Sequence, residues 1–591
     1  MIEPRIYRAA FLPAMIALLV VAFSFQARPP ALEQGLPSDV VFDEEAAGAQ
    51  ARELATVAPD RRPGAEGDRA VADLMRRALR SRQFATEVDR FKDGEGTQLT
   101  NVVGTRAGSS RRQIVVIAGR DAASVPELGG SAADTAALLE LARVLQGRAP
   151  RKTVVIVSAD GSTRGDAGVR RWVEKQARPD LIDAAIVVDE LGVRQSRGPL
   201  LVGYSNDHKR TSLGLERTAA ASLRQELGSA PSTDGFLAQI PRLAAPIGVG
   251  AQGVLIEHGI DGLRLSGSGE LDAAPSRELN DPRYGQLGRS LLRLFSALDA
   301  GGKPVHGPPS YITASTKLLP GWAIALLAGT LLLPPLFASV DAFARARRQG
   351  EEVARWFGWL GAGVAAFVAA YLVAELYVLA GAVPDPPPAP LQPATVSFDG
   401  TASGGLALSL LVAALAWFFG QRLVGERLQL MHRPDAGTGV AIALSLSLVG
   451  VAVWLLDPYT ALVLVPALHA WMLAALAPVR RGPALGLIAA GLAPLALVAL
   501  YYCRHFDFGP LDAAWYAFLL VTGHQTGLAA TLLACALAGL LVALVTLAIA
   551  RRDVPSRRAR PPSGPPRPPV FGPGGYAGPG ALGGTHSGTR R

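Results

Sequence analysis

An α/β domain held outside the cytoplasm and joined to an all-α transmembrane bundle is the fold class this 591-residue sequence predicts. Three observations predict it. The chain is too long for one ordinary domain, and a mean hydropathy of +0.26 with only 18% charged residues is too apolar for a wholly soluble one. Short β-branched runs alternate with helical patterns between residues 30 and 316. Beyond Tyr311 the texture changes to a series of long apolar segments.

The N-terminus opens with Arg5 and Arg8 ahead of AAFLPAMIALLVVAFSF (9–25), an uncharged run just long enough to cross a bilayer. No clean A-x-A site follows before Gln26, so residues 1–29 are expected to be an uncleaved anchor with its N-terminus inside. From 30 to 316 the expected strands are 99–106, 113–119, 153–159, 184–190 and 253–258. Helices are expected over 132–145 and from Ala167 to Lys175. Apolar runs of this length between helices imply a buried, mostly parallel or mixed sheet with helices on both faces.

The bundle is expected over 317–550, with about seven spans near 318–339, 354–380, 404–420, 438–455, 459–477, 483–502 and 529–549, and a short interfacial piece at 513–522. Its loops alternate in charge. Arg345, Arg347 and Arg348, then Arg422, Arg427 and Arg433, then Arg480 and Arg481 fall in one set, while 381–403 and 456–458 carry no Arg or Lys. Positive charge marks the cytoplasmic side, so both termini are expected inside and the 30–316 domain outside a multi-pass cell membrane protein. The Pro-rich 381–403 loop should be extended, and the 551–591 tail of Pro, Gly, Ser and Arg should be disordered.

Composition also excludes functions. The net charge of +9 sits at membrane flanks and in the tail, without the aromatic-interleaved basic stripe that nucleic acid requires. The two cysteines, Cys503 and Cys535, lie in the hydrophobic region, so the α/β domain has no thiol nucleophile. It has no phosphate-cradling G-x-x-x-x-G-K-S/T loop and no G-x-S-x-G elbow. His208 stands in a polar loop, and Glu375 lies within an apolar run, where a carboxyl is costly unless it lines a cavity or finds a partner.

Five stretches between 90 and 300 carry a resemblance: NVVGTR (101–106), IVVIAGRDAAS (114–124), ALLELARVL (137–145), TVVIVSADG (153–161) and IVVDELG (186–192). In order and spacing they resemble the M28 family of zinc-dependent aminopeptidases, and the join to a multi-span region is similar to the M28-like GPI transamidase component. The resemblance implies an aminopeptidase-like fold and, in family members, two zinc ions held by His, a bridging Asp, Glu, Asp and a late His, with another Glu as base. Matched residue by residue, this chain has Gly119 for the first His and Asp121 for the Asp that orients it. Gly130 or Ser131 stands for the bridging Asp, Ser162 and Thr163 for the Glu pair, and Asp189 for the later Asp. No His occurs in 267–284, where the last ligand belongs.

A neutral Ser-Thr pair cannot compensate a dication, so the expected state is a pseudoenzyme without catalytic residues or cofactor, binding a peptide or protein terminus or organising membrane partners. The alternative is an active zinc metallopeptidase with relocated ligands drawn from Asp121, Asp134, Asp189 and His258, with Asp160, Asp166, Glu190 and Glu257 also near strand ends. The bland reading of these groups is that Asp134 and Asp166 cap helices and that His258 makes a local hydrogen bond. A further alternative, a transporter or lipid-handling protein, rests on Glu375.

Overall fold

The computed structural model describes residues 3–32, 41–122, 127–194, 200–229, 231, 234–271, 276–382, 391, 393, 396–427 and 436–551. The 551–591 tail beyond its first residue, most of the Pro-rich part of 381–403, and Arg433 with its loop lie outside the described residues. Ten strands run in chain order: β1 Gln26–Ala27, β2 Ala85–Lys92, β3 Gln98–Arg106, β4 Ser110–Gly119, β5 Lys152–Ala159, β6 Ile182–Asp189, β7 Leu201–Val202, β8 Gly262–Ser266, β9 Tyr311–Ala314 and β10 Lys317–Pro320.

Seven of them form a mixed sheet in the order β2-β3-β5-β4-β6-β8-β7. Its centre, β5-β4-β6-β8, is parallel, and β2, β3 and β7 add antiparallel edges. Side chains alternate across a strand, so each apolar run feeds two cores. Ile114, Val116 and Ala118 face helices Glu44–Val57, Ser131–Val144 and Asp281–Ala300, while Val115 and Ile117 face helices Ala167–Glu174 and Ala251–Glu257. Alternation repeats in β5 and β6, which explains why these runs carry no polar face.

Four expected strands form as β3, β4, β5 and β6. The fifth does not: GVLIEH (253–258) lies in helix Ala251–Glu257 and its C-cap, and the strand of that unit is β8. The run is too short for periodicity to separate helix from strand. Gly250 and Gly259, at φ 97° and 78°, bracket the helical segment in backbone conformations that a side chain disfavours.

Among the described residues eight helices are long and apolar enough to cross a membrane: Pro4–Phe23, Gly321–Arg348, Val353–Leu379, Gly400–Arg427, Gly437–Leu456, Pro458–Leu476, Arg481–His505 and Leu528–Ala550. Pro510–Thr522 is a shorter apolar helix. Arginines gather at the bundle end away from the α/β domain. There Arg345 pairs with Asp341 at 2.6 Å and approaches Glu3 at 3.9 Å, and Arg551 donates to the Ala475 carbonyl at 2.9 Å.

The near end is built differently. β1, β9 and β10 form a small antiparallel sheet, so the hairpin crossing residue 316 ties the end of the first span to the start of the second. Helix Phe236–Ala244 buries Leu243 and Ala244 against Ala323, Ile324 and Tyr459. Val249 packs with Tyr502, Phe506, Trp515 and Tyr516. Tyr502 Oη donates to the Ala245 carbonyl at 2.6 Å. At the centre, the buried Glu270 carboxylate accepts from Arg242 at 2.6 Å and contacts His505 Nε2 at 2.8 Å.

Burial by itself would raise the Glu270 carboxyl, but Arg242 and His505 outweigh it and hold the group at about 2. A carboxyl depressed in the folded state contributes stability that is complete above its unfolded pKa and is lost as pH falls through the folded one. The melting temperature of the full chain should therefore decline as pH drops from about 4.5 towards 2, and Glu270→Gln should flatten that decline in thermal unfolding scans.

Candidate functional site

Open α/β sheets place their sites beyond the carboxyl ends of parallel strands. Here those ends are Gly119, Ala159, Asp189 and Ser266, and the loops leaving the first three line a cavity of about 140 Å³. Six carboxyl residues line it, Asp121, Glu127, Asp134, Asp166, Asp189 and Glu190, and Arg264 is its one lining cation. Three of the four residues named from the sequence as relocated ligands, Asp121, Asp134 and Asp189, thus share one cavity. His258 does not join them: it is exposed at the end of helix Ala251–Glu257, its Nδ1 2.8 Å from the Val254 carbonyl.

Asp121 is buried just past β4 and spends its whole acceptor capacity on the loop after β5. Its Oδ1 accepts from the Ser162 N–H and hydroxyl, both at 2.8 Å. Its Oδ2 accepts from the Thr163 N–H at 3.0 Å and hydroxyl at 2.8 Å. The Ser-Thr pair is therefore a clamp on Asp121. The clamp also uses the space at Gly119, because a Cβ there would stand 2.6 Å from both Cβ and Oγ of Ser162.

Asp134 is the fourth residue of helix Ser131–Val144 and does not cap it. Its two oxygens accept from the Glu190 and Leu191 N–H groups at 2.7 and 2.9 Å, across the chain. That bond pair holds the turn leaving β6, where Glu190 takes a left-handed φ of 50°. Burial, reinforced by Asp189, raises the Asp134 carboxyl well above its ordinary range. Asp166 does occupy the N-cap position of helix Ala167–Glu174, but without a side-chain cap bond and at φ 55°.

Asp189, at the end of β6, is met by the buried Arg264 of β8 at 3.0 Å. Burial raises the Asp189 carboxyl and the guanidinium opposes that rise. The second amino group of Arg264 donates to the Glu270 carbonyl at 2.6 Å. Glu127 accepts from Ser131 through both its N–H and hydroxyl and stands 3.7 Å from the buried Arg61. Its carboxylate fills the place that a side chain at Gly130 would take. Arg264, Glu127 and Arg61 escaped sequence reasoning; a lone arginine inside the apolar GLRLS strand was the available signal.

Asp160 faces away from the cavity lining and joins Asp68 around the buried Arg120, at 3.2 and 2.8 Å. Two carboxyls share one cation, and one oxygen of each, Oδ1, has no hydrogen-bond partner. Burial raises Asp160 first of all; Arg120 opposes, and Asp68 and Asp121 add to the rise, leaving the group at about 8. In the bundle, Glu375 lies 3.8 Å from His524, and His208 sits beside Tyr459.

The donor set does not fit a pair of zinc ions. Asp121 is saturated, Asp189 already faces a guanidinium, and Gly119, Gly130, Ser162 and Thr163 supply no imidazole or carboxylate. Among the described residues no three His, Cys, Asp or Glu side chains are grouped to hold a metal ion.

Linkage gives the pH dependence of the Asp160 pair. A carboxyl raised in the folded state stabilises the fold fully below its unfolded pKa, and that contribution is lost as pH climbs to the folded value. Stability should fall between about pH 4 and 8, and Asp160→Asn should flatten the fall in denaturant melts taken across that range.

No protein-family model matches the chain, and no curated protein matches it. Solved structures do. The glutaminyl cyclase of Porphyromonas gingivalis is 18% identical, with 43% of this chain and 98% of that one covered at a TM-score of 0.33. The zinc aminopeptidase BSAP of Bacillus subtilis is 12% identical, with 44% and 95% covered at 0.36. A leucine aminopeptidase precursor of Bacteroides thetaiotaomicron is 14% identical, with 44% and 98% covered at 0.33. Its structural neighbours are thus M28-like zinc exopeptidases and glutaminyl cyclases, at low identity and low overall similarity.

Proposed function

We propose that this is a multi-pass membrane protein whose M28-like α/β domain, outside the cytoplasm, has exchanged zinc hydrolysis for binding. One observation carries the reading: the carboxylates matched to the family's metal site are compensated from within the chain, Asp121 by four donors of Ser162 and Thr163, Asp189 by Arg264. A guanidinium at 3.0 Å leaves a dication no anionic partner there, and two like charges could share that space only at a high Coulomb cost.

The cavity that remains suits a cationic group. With six lining carboxyl residues against one arginine, its field favours the amino terminus or a basic side chain of a peptide over an acidic one. What supports placement outside the cytoplasm is the set of arginines at the far bundle end, since positive charge favours the cytoplasmic face. Membrane proteins presenting a basic terminus at the same surface are the partners this arrangement fits.

The test is metal content and activity of the purified full chain. After incubation with zinc and desalting, far less than one zinc per chain should remain, and aminoacyl anilides should not be hydrolysed. Stoichiometric zinc with hydrolysis that disappears in Asp189→Asn would overturn the reading. Arg264→Gln leaves Asp189 without its cation, so it should lower stability by ~3 kcal/mol in chemical denaturation. A peptide with a free amino terminus should raise the melting temperature more than its acetylated form.

A further inference from the structure

At the seam between the α/β domain and the bundle lies a second hollow, of about 300 Å³, apart from the cleft. Arg28, Arg217 and Arg224 line it, together with Ser315 and Thr316. Several arginines elsewhere on the domain are matched by acids: Arg52 with Asp281, Arg112 with Asp183, Arg164 with Asp93 and Glu95, Arg289 with Glu44 and Glu226. These three form no ion pair among the described residues. Arg28 donates Nε to the Lys317 carbonyl at 3.3 Å, and Arg217 donates to the Arg28 carbonyl at 3.5 Å, which leaves most of their N–H groups for a ligand.

Glu216, the one lining carboxylate among the described residues, is engaged by the Tyr311 hydroxyl at 3.1 Å and by Arg210 at 3.7 Å. Burial and the neighbouring Arg217 press the Arg28 guanidinium below its usual range, with Glu216 opposing. Three guanidiniums set around a single carboxylate that is already engaged elsewhere leave an excess of positive charge for an anion, and a guanidinium fork matches phosphate oxygens in particular.

A second observation says what kind of anion. Directly along the chain from Arg28, residues Phe23, Ser24, Phe25 and Gln26 line an open groove of about 550 Å³ with Ile16, Leu19, Val20 and Trp322. Phe23 is 88% exposed there and Trp322 53%. Gln26 of the groove and Arg28 of the hollow are two residues apart at the β1–β10 pair, where Gln26 lies opposite Leu318 and Ala27 opposite Lys317. Lys317 is four residues from the first turn of the second span, ~13 Å of strand at most. The ends of two spans thus offer an apolar trough, and a cationic cup stands at its mouth.

We propose that this seam is a binding site for an acidic phospholipid, its phosphate held by Arg28, Arg217 and Arg224 and one acyl chain laid in the groove beside Phe23 and Trp322. Charge complementarity selects the headgroup and the groove selects an amphiphile over a free anion. The site rests on membrane embedding alone and is independent of what the cleft binds.

The test uses the full chain in an uncharged detergent, titrated by microscale thermophoresis with short-chain phosphatidylglycerol, short-chain phosphatidylcholine and inorganic phosphate. Phosphatidylglycerol should bind saturably and about tenfold or more tightly than phosphatidylcholine. Arg217→Gln and the exposed Arg224→Gln should each weaken it about tenfold, Arg217→Lys less, and Arg178→Gln, far from the seam, not at all. Equal binding of the two lipids, or wild-type affinity in both glutamine variants, would overturn the site. Inorganic phosphate binding as tightly as phosphatidylglycerol would overturn the lipid assignment.

Discussion

A carboxylate removed from water must be met by a cation, by hydrogen-bond donors or by a proton, and this necessity shapes the whole strand-end region. All three answers occur within it. Asp121 takes donors, Asp189 takes a guanidinium, and Asp134 combines two backbone N–H groups with a pKa raised towards protonation. In a dinuclear site the metals would be the compensating charge. Here the compensation is built into the sheet and its loops, and the cavity keeps its shape because strand ends and helix Ser131–Val144 form it.

The same arginine that pairs with Asp189 in the cleft connects it to the bundle. Arg264 reaches Asp189 with one amino group and the Glu270 carbonyl with the other, while the Glu270 side chain is gripped by Arg242 and His505. His505 ends a membrane-length helix, so the cleft floor and the bundle share a buried ionic network. Separating them would take His505 from the Glu270 carboxylate and leave it with Arg242 alone. Tyr502 and the buried face of helix Phe236–Ala244 add apolar contact to that lock. A flexible tether would need none of this; the α/β domain and the bundle meet through ionic, hydrogen-bonded and apolar contacts together.

The sheet was legible because its strands are buried on both faces. Residues 113–119, 153–159 and 184–190 carry the β-branched cores IVVI, TVVIV and IVV, and that texture has one physical meaning when helices intervene. The spans were legible for a similar reason, since length and apolarity are all a bilayer demands. Residues 253–258 misled because six apolar-rich residues fit either geometry. The site was half legible. Asp121 and Asp189, matched by position, and Asp134, named as a substitute ligand, share one cavity, yet the partners Arg264 and Glu127 sit 75 residues from Asp189 and four from Ser131 respectively and match no motif. Charge pairing across a fold leaves little trace in one sequence, and an arginine among leucines in β8 was its one visible mark.

In the proposed reading, occupancy as well as the loss of ligands separates this cleft from a metal site. A side chain at 119 would meet Ser162, and one at 130 would meet the Glu127 carboxylate. Introducing histidine at 119 would therefore displace the clamp on Asp121, and introducing an acid at 130 would place it against Glu127 and add to an already acidic cavity. Each single step towards a zinc ligand breaks an existing compensation before a metal can replace it, and a single substitution leaves the donor set still short of a site. Two glycines thus keep the present arrangement by accommodating what stands opposite them, and the cleft is held in its hydrogen-bonded form by packing as well as by charge.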